Sequence, residues 1–317
     1  MKAVVVGIAN QQTALPIRSF PVAYEANRYL PGAIRHTVGG VGFNVARTLS
    51  AFGHMVALAS PLGEDYSAAM IDAEAYRYSI STHLCRRELT RTPRSVVLYD
   101  DAGRRQTNFD PAGAVDFVFR EEHLAPDLFR AKLVVLGNSD MVAPLIDPLR
   151  ERGRWLAVDL QEVHGAHNPA DEKFLAADFL NMSNEYVKGS EREVLLGLRE
   201  RSRARILTMT LGAAGALVLP SDVDEPVHVP APRVRPRNTS GAGDIMFATL
   251  LHASLRLKED PIAATTRAVE VASRYVASQA IHGSLDPERL RGILGLAPAV
   301  AAASAPEIAW NSYSGEA

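Results

Sequence analysis

Short β-rich runs alternate with longer segments of helical period along most of this 317-residue chain, and that alternation restricts the fold more than any other feature. Strands are expected at residues 2–9, 55–60, 133–136, 155–159, 179–182, 205–211 and 216–219. Helices are expected at 143–152, 191–202, 244–257 and 262–280, and around Val45, Leu49 and Phe52, which share one helical face closed by Gly53. Strands alternating with helices imply an α/β fold, with a central, mostly parallel sheet covered on both faces. Two regions break the rhythm, residues 11–38 and 84–109. In the second, Asp100-Asp101-Ala102-Gly103 is expected to turn one strand back on another, giving a small accessory sheet. After Leu296 the chain becomes rich in Ala, Pro and Ser, and residues 297–317 read as a tail whose composition suits disorder.

Charge narrows the function classes. With 34 basic against 36 acidic side chains the net charge is -2, which offers no electrostatic surface for nucleic acid or an anionic membrane. Cys85, the single cysteine, excludes an internal disulfide and a thiolate metal cage, and it fits a reducing cytoplasm. The apolar start ends in Asn10-Gln11-Gln12 and is expected to be a buried first strand rather than a signal peptide. No apolar run approaches the roughly 20 residues that span a bilayer. The expectation is a soluble cytoplasmic protein whose partner is a small molecule.

The stretch "RNTSGAGDIMFATLLHASL" places Gly241, Ala242, Gly243 and Asp244 at the start of an apolar helix. Backbone N–H groups in a first helical turn lack intrahelical partners and face outward with the positive end of the helix dipole. Glycines there let a phosphate approach the main chain. A carboxylate repels phosphate, so a pure anion-binding site has no use for Asp244. A phosphoryl-transfer site does, as acceptor of the attacking hydroxyl's proton. From this stretch alone, an ordinary first-turn aspartate explains Asp244 equally well. A second cluster, "TVGGVGFNVARTLSAFGH", puts Gly39, Gly40 and Gly42 before another helix with Asn44 beside them. It lacks G-x-G-x-x-G spacing and a strand–turn–helix context, so a dinucleotide-binding reading is rejected.

Taken in order, these stretches resemble the signatures of the PfkB-type, ribokinase-like carbohydrate and nucleoside kinases. "GGVGFNVARTLSAFGHMVALASPLGEDYSA" is similar to the family's N-terminal signature and "NTSGAGD" to its C-terminal "DT-x-GAGD". Between them, "LNMSNEYV" is similar to the "NxxE" segment and "MTLGAAGALV" to the nucleotide-binding "TLGxxG". The resemblance covers residues 1–296. It implies a ribokinase-like fold whose small β-lid would fall at 11–38 and 84–109. It also implies ATP and Mg²⁺, and often a homodimer formed through the lids.

Carried over by position, the resemblance makes Asp244 the base and the amides of Gly241, Ala242 and Gly243 the anion hole. Asn184, Thr210, Gly212 and Gly215 would serve the nucleotide. Asn10, Gln12, Gly39, Gly40 and Asn44 would hold the acceptor, with Asn138 as a further candidate. Three positions depart from the pattern. Gln12 stands where the family usually has a sugar-binding aspartate. Val187 stands where the "NxxE" glutamate should be, so a water-mediated Mg²⁺ contact would have to come from Glu185. Asn238 replaces the first aspartate of "DTxGAGD", so K⁺ activation is not expected. His164 and His167, with no acidic cluster beside them, read as surface histidines. Arg104 and Arg105 read as solvated hairpin charges and Phe109 as lid packing. The expected function is an ATP-dependent kinase phosphorylating a primary hydroxyl of a small sugar or nucleoside. The alternative is a catalytically weak relative that binds such a molecule as a sensor.

Overall fold

The computed structural model describes residues 1–236, 239–278 and 285–297. Its first part runs β1 (Lys2–Val6), β2 (Asn10–Pro16), β3 (Arg35–Gly39), α1 (Val41–Ala51), β4 (Met55–Ala59), β5 (Pro61–Gly63) and α2 (Tyr66–Arg77). Four strands follow, β6 (Ile80–Ser81), β7 (Arg86–Leu89), β8 (Arg94–Tyr99) and β9 (Arg105–Asp110). The middle holds α3 (Glu121–Leu124), α4 (Asp127–Arg130), β10 (Leu133–Gly137), α5 (Ile146–Glu151), β11 (Trp155–Glu162), β12 (Phe179–Ser183) and α6 (Glu191–Arg201). The last part contains β13 (Ile206–Thr210), β14 (Ala216–Pro220), β15 (Val227–Val229), α7 (Ala242–His252), α8 (Pro261–Ala277) and α9 (Pro287–Ile293).

Nine strands form the central sheet in the order β15-β14-β13-β12-β11-β10-β1-β4-β6. Every pairing from β6 across to β13 is parallel, and β14 alone runs against the rest, antiparallel to both β13 and β15. Residues of β1 show how the sheet is covered. Ala3 and Val5 face one hydrophobic cluster, built with α1, α2, α7 and α8, while Val4 and Val6 face a second, built with α5 and α6. Burial on both faces is why these strands read as continuous apolar runs rather than alternating ones.

Four strands outside that rhythm make a second sheet, β3-β2-β8-β9, in which β2 runs antiparallel to β3 and parallel to β8. The hairpin joining β8 to β9 is closed by Asp100, whose Oδ1 accepts from the amides of Ala102 and Arg104 at 3.1 and 2.9 Å. Two helical expectations are corrected and one helix is added. Residues 143–152 split into a 3-10 turn, Asp140–Leu145, and the short α5, because Pro144 has no N–H for an α-helical bond. Helix α7 starts two residues early and ends at His252, after which Ala253–Leu257 widens into a π turn. Helix α2 was not anticipated; its N-cap, Asp65, accepts from the Ala68 amide at 3.0 Å. The tail expectation concerns residues 297–317, of which 298–317 lie outside the described residues, as does Asn238.

Candidate active site

Parallel strands deliver their carboxyl ends to one edge of the sheet, and a cavity of about 630 Å³ lies along that edge. Gly137 and Asn138 enter it from the end of β10, Asp159 from β11, Asn181 and Ser183 from β12, and Thr210 from β13. The small sheet closes the opposite wall through Asn10, Gln12, Ser95, Arg105, Thr107 and Phe109. Residues 105, 107 and 109 alternate along β9, so one face of that strand is turned to the cavity.

The floor is the turn before α7. Gly241 is the N-cap and adopts φ 80°, a left-handed conformation for which glycine alone carries no Cβ penalty. Among the described residues the amides of Gly241 and Gly243 have no backbone acceptor, whereas the Ala242 amide bonds the Thr239 carbonyl at 3.3 Å. The anion hole expected from three amides therefore has two free ones, with Ala242 engaged in closing the turn. A Cβ added to Gly243 would meet nothing within 4 Å, because that side of the residue faces the cavity.

Asp244 is 8% exposed, and its Oδ2 accepts from Asn44 Nδ2 of α1 at 2.6 Å. Burial pushes its pKa above the ordinary carboxylate value. The Asn44 hydrogen bond and the charges of Arg47 and Arg105 oppose that push. Asn44 was expected to hold an acceptor hydroxyl. Its amide nitrogen donates one N–H to the Asp244 carboxylate, which leaves its second N–H and its oxygen for a ligand in the cavity it lines.

Asp159 was not singled out by the sequence, yet it is 5% exposed and lines the same cavity. Burial, and then the charge of Asp244, raise it to about 7, against hydrogen bonds from the Gln161 amide and Asn181. Two buried carboxylates in one site do not both ionise freely. Burial raises both, and hydrogen bonds oppose the rise in each, from Asn44 at Asp244 and from the Gln161 amide and Asn181 at Asp159. No motif could have revealed this residue, since "AVDLQEV" ends like any buried strand and only the sheet order brings it near Asp244.

Other expected positions divide. Asn10 donates to Ser95 Oγ at 2.7 Å and Asn138 to the Leu160 carbonyl at 2.6 Å, and both line the cavity with Gln12 and Gly40. Gly39 lies outside the lining; a Cβ there would come within 2.8 Å of Gln12 Oε1. Of the four nucleotide candidates Thr210 alone lines the cavity. Asn184 donates to Glu191 Oε1 at 2.8 Å, Gly212 faces open space, and Gly215 has backbone packed so closely that a Cβ would lie 2.1 Å from the Val229 carbonyl.

Glu185 does not reach the cavity. It is exposed and pairs with Lys188 at 3.2 Å, and Val187 is 5% exposed in the core beneath. The carboxylates that do line the cavity are Asp159, Glu162 and Asp244. Arg104 pairs with Asp100 as a hairpin charge, but Arg105 turns to the cavity, and Phe109 is 47% exposed there rather than packed in the lid. His164 and His167 are exposed, and no cluster of metal-ligating side chains occurs among the described residues.

A family model for pfkB family carbohydrate kinases matches residues 1–286, nearly the whole of the described chain. The chain belongs to the pfkB family of carbohydrate kinases. Curated relatives named bifunctional protein HldE, from Rhodopseudomonas palustris BisB5 and Bradyrhizobium, are each 25% identical over 67% of this chain. The chain spans about half the length of the curated relatives it matches, 47% in both cases. Among solved structures, a microbiome-derived acarbose kinase, Mak1, superposes with a TM-score of 0.82 at 22% identity, covering 93% of this chain and 98% of that one. A ribokinase from Arabidopsis thaliana, complexed with ribose and ATP, gives 0.72 at 19% identity over 93% and 99%. The ribokinase of Thermotoga maritima gives 0.72 at 17% over 92% and 99%. At these identities the structural likeness establishes the ribokinase-like fold.

Proposed function

We propose that this carbohydrate kinase transfers the γ-phosphoryl group of ATP to a primary hydroxyl of a small sugar or nucleoside, with Asp244 as general base. One observation supports the reading: a buried carboxylate held by Asn44 stands beside two turn amides, those of Gly241 and Gly243, that have no backbone acceptor among the described residues. The acceptor hydroxyl would lie between Asp244 and the small sheet, where Asn10, Gln12, Asn138 and the Asn44 oxygen offer hydrogen bonds. As its oxygen bonds to the γ-phosphorus, its proton passes to Asp244 and the bond to the β-phosphate oxygen breaks, releasing ADP. The Gly241 and Gly243 amides and the α7 dipole would stabilise charge on the transferred group.

Mg²⁺ would arrive with the nucleotide and neutralise part of the phosphate charge. The donor set suits it, since Asp159 and Glu162 put carboxylate oxygens on that wall, where the water shell of a phosphate-bound Mg²⁺ would be held. Glu185 has no part in this reading. The sensor alternative receives no support from the geometry, because a binder needs neither Asp244 nor the free amides. Asp244→Asn keeps the shape and removes the base, so turnover over a panel of sugars and nucleosides should fall roughly 10²–10⁴-fold. ATP affinity should hold or improve as repulsion is relieved. Parent-level turnover by this variant would end the assignment.

We further infer a homodimer through the small sheet. Val96 of β8 is 40% exposed, and in the connection from β2 to β3 Val22 and Ile34 are 50% exposed and Tyr24 and Tyr29 more than 90%. Sheet edges and exposed apolar side chains of this kind favour pairing. Light scattering that shows only monomer at assay concentration would remove this inference and leave the kinase reading untouched.

A further inference from the structure

Helix α1 brings Asn44 to Asp244, and three residues later the same helix carries Arg47. Residues three apart on a helix share a face, so Arg47 lies on the side of α1 that packs toward α7. It is 2% exposed and is among the largest fully buried side chains of the protein. Arginine is almost never buried to this degree without a partner. Yet Nε and Nη1 of Arg47 have no hydrogen-bond acceptor among the described residues.

Packing alone does not account for such a residue. A leucine or methionine would fill the same space without burying a charge and two nitrogens that lack an acceptor among the described residues. The surroundings say what the charge is for. The guanidinium favours the anionic forms of Asp244, Tyr275 and Tyr78, which places it among those three groups. The Tyr275 hydroxyl donates to the Ser240 carbonyl at 2.6 Å, immediately before the N-cap of α7. Arg47 itself is absent from the cavity lining. It therefore stands behind the turn, on the protein side, while the Gly241 and Gly243 amides and Asp244 face the ligand.

The cavity needs a positive charge. Among the described residues its lining holds three carboxylates, Asp159, Glu162 and Asp244, against one arginine, the exposed Arg105 of the small sheet. We propose that Arg47 is a positioning residue for phosphoryl transfer, a buried counter-charge behind the Ser240–Gly243 turn that keeps Asp244 as the carboxylate and ties the turn to α1. The proposal rests on Asp244 being the base.

The groups facing Asp244 are Asn44 and Arg47 of α1, Asp159 of β11, Arg105 of β9 and Tyr275 of α8, so the test changes only one of them. The pH dependence of kcat is compared for the parent, Arg47→Lys, Arg47→Met and Arg47→Gln, with thermal melting of each. Loss of the charge in Arg47→Met should raise the acid limb of kcat by about one pH unit or more. At neutral pH kcat should fall roughly 10-fold or more, with part of the rate recovered in alkali and the acceptor KM little changed. Arg47→Lys should keep the parent limb. Arg47→Gln carries the comparison if Arg47→Met does not fold. A parent-like limb in the uncharged variant, or a loss of rate that is equal at every pH and follows a lowered melting temperature, would overturn the proposal. Failure of the base assignment shows up separately, as undiminished turnover by Asp244→Asn whatever the Arg47 variants do.

Discussion

Two glycine-led turns face each other across this site, and they use their glycines for different reasons. Before α7, Gly243 has nothing within 4 Å of where a Cβ would stand, and its bare side is open to the cavity. Before α1, a Cβ on Gly40 would come within 2.3 Å of the Ile8 carbonyl, and one on Gly42 within 2.6 Å of the Gly7 backbone. The first turn is bare so that a ligand can approach. The second is bare mainly so that helix α1 can lie against the end of β1. A glycine cluster in a sequence is therefore not yet a binding site; what occupies the space of the missing Cβ decides.

The sharpest test of this contrast lies at the second turn. Gly40→Ala combines φ 95° with a backbone clash, and Gly42→Ala adds a backbone clash of its own. Each should cost on the order of 3 kcal/mol of stability or more, measured by denaturant unfolding. An alanine at position 42 with parent stability would show that α1 can withdraw from β1, and the packing account would fail.

The two helices that begin at these turns meet again at their far ends. His54, just after α1, and His252, the last residue of α7, lie Nε2 to Nδ1 at 2.9 Å, with His252 stacked on Phe52. Burial lowers both to about 4, His54 also through the N-terminal charge and His252 also through His54. In the unfolded chain they titrate near 6.5. Between these values the unfolded state binds more protons, so stability falls as pH drops from about 6.5 to about 4. His54→Leu/His252→Leu should flatten the slope in this window. An unchanged slope would place the acid sensitivity elsewhere.

The smallest effect is expected at the first turn. Gly243→Ala should leave the melting temperature at the parent value and weaken ATP binding by roughly tenfold, about 1.4 kcal/mol. A loss of stability with unchanged affinity would reverse the contrast between the turns.

Much of the architecture was legible because burial writes itself into composition. The runs at β1 after Lys2 and at β10 are continuously apolar because both faces of the sheet are covered, and the off-rhythm segments mark the second sheet. Asp244 stood out because a carboxylate after two glycines at a helix start suits phosphoryl transfer, although the stretch alone fitted an ordinary first-turn aspartate equally well, and the structure adds its burial and its bond from Asn44. Ala242 and Glu185 were read less well, and the bond from Asn44 to Asp244 was not foreseen. Hydrogen bonds decide whether an amide is free, what an asparagine holds, and whether a carboxylate is already paired, and none of these is a property of residue type.

Local sequence thus determined the elements, the mostly parallel sheet and the turn that begins α7, since periodicity and glycine placement act over a few residues. Tertiary structure alone decided that Asp159 comes near Asp244, and that Asn44 and Arg47 of α1 converge on a carboxylate 200 and 197 residues away in the chain. The physical reason is range. Electrostatic and hydrogen-bonding partners are set by distance in space, and strand order and helix packing fix that distance without a trace in the neighbouring sequence.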